Sequence, residues 1–83
     1  MKISFYGREI SVHYVEECHR VLIDAEAAVD GDDIYIDKSL GEDARMHALI
    51  HELFHVMFPF MEEKDVSMMA MILTDTFLVN GML

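Results

Sequence analysis

The chain has 83 residues, 53% of them hydrophobic, and its 16 acidic against 6 basic residues give a net charge of -10. Such a length and composition predict one small globular domain rather than a disordered chain, and Asp75 interrupts the longest apolar stretch before it reaches membrane-spanning length. The charge opposes a nucleic-acid backbone. The single cysteine, Cys18, excludes an internal disulfide framework, so a metal, a partner or close packing must hold so small a core.

In chain order, Met1-Lys2-Ile3-Ser4-Phe5-Tyr6-Gly7 lacks the apolar run of a signal peptide, and a cytoplasmic protein is expected. Lys2 to Tyr6 and Ile10 to Val15 alternate around the turn Gly7-Arg8-Glu9 and predict a hairpin. Glu16 to Ile23 is ambiguous, either a short helix with Val15, His19 and Leu22 on one face or a strand from Arg20. Ala25 to Val29 and Ile34 to Asp37 flank Asp30-Gly31-Asp32-Asp33 and predict a second hairpin, because Asp-Gly suits a tight turn with positive φ. That aspartate cluster lacks the loop length and the bidentate Glu of a calcium site.

Ser39-Leu40-Gly41-Glu42 fits a capping box, with Ser39 as N-cap and Glu42 reaching back, and Asp43 adds favourable first-turn charge. A helix should then run to about Phe58, where Pro59 stops it, and a second should run from Glu62-Glu63 to near Asn80-Gly81. Met46, Leu49, Ile50, Leu53 and Met57 cover the face opposite His51 and His55, and Ala48 and Phe54 flank those histidines, so the helix should be buried on most sides, between the sheet and another helix. The fold class predicted is α+β: a small antiparallel sheet of two hairpins followed by two antiparallel helices.

Within the first helix lies His51-Glu52-Leu53-Phe54-His55, an H-E-x-x-H pattern. Residues four apart stack on one helix face, so both imidazoles can grip one metal ion, and Glu52, one step round, can reach a water bound to it. Two histidines alone bind zinc poorly, and a catalytic site wants three protein ligands and one open position. A metzincin continuation would need Gly at 58 and His at 61; Phe58 and Met61 exclude it. A carboxylate from the next helix remains. Glu62, Glu63 and Asp65 are candidates, and Asp75 lies three turns too far along. Glu63 continues the stripe Val66, Ala70, Leu73, Phe77 and ranks first, with Glu62 second and Asp65 third.

The run Ile50 to Pro59, followed by Glu62-Glu63 and a closing helix, resembles small phage- and prophage-encoded zincin-like metallopeptidases. More distantly it is similar to the ImmA/IrrE group, in which the helix after H-E-x-x-H carries a glutamate ligand seven residues before an alanine, matching Glu63 and Ala70. The resemblance covers about residues 33 to 80. It implies a minimal zincin with a Zn2+ cofactor, whose last strand, near Ile34 to Asp37, borders the cleft and receives an extended peptide. The chain departs from that group in ending straight after the second helix, without a subdomain to shape a substrate pocket.

The expected activity is zinc-dependent peptide-bond hydrolysis, with His51, His55 and Glu63 as ligands and Glu52 as general base. Tyr14, Tyr35 and His47 are unranked candidates for stabilising the oxyanion. His47 extends the histidine ladder and reads more readily as a solvent-facing or cleft-lining residue than as a ligand or a group supporting one. His13 and His19 read as ordinary residues, and Cys18 as a small buried apolar group. Val66 to Leu73 holds seven apolar residues in eight, including Met68, Met69 and Met71, more than one small chain can bury. This points to a homodimer or protein partner docked on the helix over 63–80. The alternative function is therefore a non-catalytic, zinc-stabilised interaction module; an acidic mimic of nucleic acid is a third reading, resting on charge alone.

Overall fold

The computed structural model describes residues 1–5, 7–16 and 26–82. The ambiguous stretch after Glu16, with Cys18 and His19, lies outside them. Two hairpins form where alternation and turn chemistry place them. β1 (Lys2–Phe5) pairs antiparallel with β2 (Arg8–Val15), and β3 (Ala27–Asp30) pairs antiparallel with β4 (Asp33–Asp37). The first turn is tighter than expected, since Arg8 and Glu9 pair with Phe5 and Ser4. In the second, Gly31 has φ 62°, the left-handed conformation a two-residue turn needs and a side chain resists.

The sheet is mixed, not antiparallel throughout as expected. Its order is β1-β2-β4-β3, and the two central strands run parallel, Val12 opposite Ile34 and Tyr14 opposite Ile36. Burial explains the arrangement: β2 and β4 carry Ile10, Val12, Ile34 and Ile36, each at most 2% exposed. Side by side at the centre, they offer one continuous apolar surface to the helix above. Parallel neighbours cannot be joined by a tight turn, and here the chain reaches β4 by way of β3 at the far edge.

α1 (Glu42–Met57) lies across this surface over β3 and β4, burying Ala48 and Leu49 and packing Met46, Leu53 and Val56 beside them. The expected capping box does not form. Gly41 is the N-cap, without a side-chain cap, because Asp37 at the strand end captures Ser39: its Oδ1 accepts from the Ser39 backbone N–H at 2.9 Å and from Oγ at 2.8 Å. Glu42 and Asp43 still complement the helix dipole. Pro59 follows the C-cap Phe58, as predicted.

α2 (Glu63–Val79) folds back antiparallel on α1, its N-terminal Glu63 meeting His51 and His55 and its Leu78 lying beside Met46. Gly81, φ 65°, ends it in a Schellman motif, with Gly81 N–H donating to Leu78 C=O at 3.1 Å and Met82 N–H to Phe77 C=O at 2.7 Å. Val66, Ala70 and Thr74 are buried. α1 is thus the middle layer, between sheet and α2. None of the described helices is long and apolar enough to cross a membrane.

Candidate metal centre

One helix face and one helix start build the site. Helical spacing stacks His51 on His55, their ring centroids 4.9 Å apart and their Nε2 atoms 3.1 Å apart. The tight turn over Phe58 to Met61 then returns the chain so that Glu63, first residue of α2, reaches both rings. Its Oε1 lies 2.7 Å from His51 Nε2 and its Oε2 2.7 Å from His55 Nε2. Glu62 is instead the N-cap of α2 and pairs with Lys64 at 3.4 Å, and Asp75 sits at the far end of the helix pair beside Asp43. Of the four carboxylates weighed from sequence, Glu63 is the one that contacts both histidines.

Glu52 completes the cluster from behind. Donor atoms of His51, Glu52 and His55 lie within 4.8 Å of one another. The two carboxylates differ in setting: the Glu63 side chain is 66% exposed and closes the outer side, whereas Glu52 is only 8% exposed. Burial raises the pKa of Glu52; the imidazoles of His51 and His55 pull the other way, and the Glu63 carboxylate adds to the rise. One turn along α2, Ser67 Oγ lies 3.4 Å from Glu63 Oε1, a long contact that steadies the carboxylate.

The donor set fits a catalytic zinc ion. Two imidazoles and a carboxylate with a fourth side open are what such sites present, and metal–ligand lengths of about 2.0–2.1 Å place tetrahedral donors ~3.3 Å apart. The separations of 3.1 and 2.7 Å would need to widen only slightly. The open side faces a cleft of about 340 Å³ whose lining includes Glu26, Ala27, His47, His51, Glu52 and Glu63. A larger cavity, about 430 Å³, lies at the other end of α1 between Tyr14, Arg45 and Leu78, but brings no such donors together. Donor chemistry, not size, identifies the site.

Of the three oxyanion candidates, His47 alone lines this cleft. Its ring stands edge-on to His51 at 6.3 Å, and its Nε2 is buried with no hydrogen-bond partner among the described residues. Tyr14 lies under the Arg45 guanidinium in the larger cavity. Tyr35 stacks on His13 at 4.9 Å, on the sheet face opposite the helices.

The strand bordering the cleft is β3, not β4 as expected. β4 is paired on both sides, by β2 and β3, so no peptide can add beside Ile34 to Asp37, whereas β3 is an edge strand among the described residues. Sequence reasoning missed Glu26 and Ser67. Ser67, four residues after Glu63 on one helix, was recoverable from spacing; Glu26 reaches the cleft only through strand pairing. No family model, curated protein or solved structure matches the chain.

Proposed function

We propose that this chain is a minimal zincin-like, zinc-dependent peptidase with His51, His55 and Glu63 as ligands and Glu52 as general base. The observation that carries this reading is the approach of Glu63, from a separate helix, to 2.7 Å from both histidines of the H-E-x-x-H pattern. A zinc ion held there supplies Lewis acidity and a water of pKa roughly 7. Glu52 takes the proton of the attacking water and passes it to the leaving amine, a role suited to a buried carboxylate whose basicity burial has raised. An extended peptide lying along β3, the edge strand among the described residues, would cross the cleft beside Ala27. Of the three oxyanion candidates, His47 is the one that lines the cleft and could turn toward the developing oxyanion.

The test is elemental analysis of untagged protein purified without added metal, followed by Glu52→Gln. About one zinc per chain, with hydrolysis of a peptide library reduced ~10²–10⁴-fold in the variant while zinc is retained, is the expected result. No metal, even after zinc is offered at neutral pH, overturns it.

A second reading, an interaction module, draws on the outer face of α2. Met68, Ile72 and Val79 are exposed directly opposite the buried Val66, Ala70 and Thr74, with Met69 and Met71 exposed on the flanks. If that face docks a second copy or another protein, Ile72→Glu abolishes association in sedimentation and leaves zinc content unchanged. A concentration-independent monomer without a recovered partner counts against it.

A further inference from the structure

We infer that the cleft selects peptide segments carrying a lysine or arginine near the reacting bond, with Glu26 as the carboxylate that recognises the cation. The inference rests on the peptidase reading for its site and adds the class of substrate. Among the described residues three carboxylates line the cleft: Glu26, Glu52 and Glu63. A divalent ion's two positive charges balance Glu52 and Glu63, so Glu26 is the negative charge that the metal chemistry does not use. Among the described residues no cation pairs with it. Lys2 pairs with Glu9, Arg8 with Asp32, Lys38 with Glu16 and Lys64 with Glu62, while Arg45 lies over Tyr14.

Position makes this charge selective rather than merely attractive. Glu26 immediately precedes β3, and its backbone carbonyl accepts from Asp37 N–H at 2.9 Å, which anchors it to the sheet at the mouth of the cleft. Among the described residues β3 is the edge strand on this side, and a peptide running along it passes Glu26 as it reaches the histidines. The net charge of -10 adds a long-range field that draws in basic segments and repels acidic ones.

The test measures binding apart from turnover. Zinc-loaded wild-type protein is titrated, by fluorescence anisotropy, with labelled peptides of one neutral sequence bearing lysine, alanine or glutamate at its centre, the bond beside that residue replaced by a hydrolysis-resistant hydroxyethylene isostere so that Glu52 keeps its charge. The lysine peptide should bind about tenfold more tightly than the alanine peptide, and the glutamate peptide more weakly still. Adding Glu26→Gln should remove about three- to fivefold of the lysine preference, and Glu26→Lys should favour the glutamate peptide. Asp75→Asn, an equal charge change at the far end of α2, separates the local effect from the general field and should leave the preference intact. Equal binding of the three peptides, binding of none, or equal losses in the Glu26→Gln and Asp75→Asn backgrounds overturns the inference. Lysine-selective binding without cleavage of any all-amide peptide by wild-type protein upholds it and overturns the peptidase reading instead.

Discussion

The α1–α2 pair is hollow at both ends, and the two ends are chemically unlike. At one, the start of α2 brings a carboxylate onto two imidazoles above a buried glutamate. At the other, Leu78 near the end of α2 faces Glu42, Asp43 and Met46, and Arg45 is turned onto Tyr14. The second cavity is larger, yet among the described residues it gathers no such donor set. A cavity becomes a reaction site when donors from different elements share a focus, and volume is secondary.

Replacing a focal donor should break this contrast most sharply. His51→Ala is expected to abolish stoichiometric zinc binding, read by elemental analysis, and to remove any rise in melting temperature that zinc confers. Glu63→Gln should weaken zinc affinity by at least about 10–100-fold in competition with a chromophoric chelator, whereas Asp43→Asn at the other end should not change it.

Glu52 gives a pH-dependent effect of defined sign. Its raised folded pKa means the folded state holds the proton more tightly than the unfolded state does. In metal-free protein its charged form therefore costs stability, a cost that begins as pH rises through the unfolded carboxylate range and is complete above the folded pKa. Metal-free Glu52→Gln should accordingly be more stable than wild type in urea at neutral pH, with the gain vanishing as pH falls below the unfolded range. The smallest effect concerns His47. Because its Nε2 is buried without a partner among the described residues, His47→Phe should keep or raise the unfolding free energy read from urea titration, by up to about 1–3 kcal/mol, and leave zinc affinity unchanged. Lost zinc binding there would make His47 part of the metal centre.

The same amino-acid types have opposite fates on the two sides of α2. Val66 and Ala70 are buried against α1 while Met68 and Ile72, two residues further on, face outward. Periodicity alone marks the helix and its excess of apolar surface, but not which stripe the rest of the chain covers. For that reason Met-rich composition called for a partner without identifying the docking face.

What the sequence determined by itself is local. Alternation and the two glycine turns specified the hairpins, Pro59 and Gly81 the helix ends, and four-residue spacing the stacked histidines, because each depends on residues within one turn of one another. The capping box failed although it is local, since it competed with Asp37, an acceptor that strand β4 holds in place. Only tertiary structure decided the parallel pairing of β2 with β4, the edge strand beside the cleft, the contact of Glu63 with both imidazoles, and the position of His47 rather than Tyr14 or Tyr35 in the site. Those outcomes join residues far apart in the chain, and they follow from which apolar surfaces must be buried together, a choice no short stretch of sequence contains.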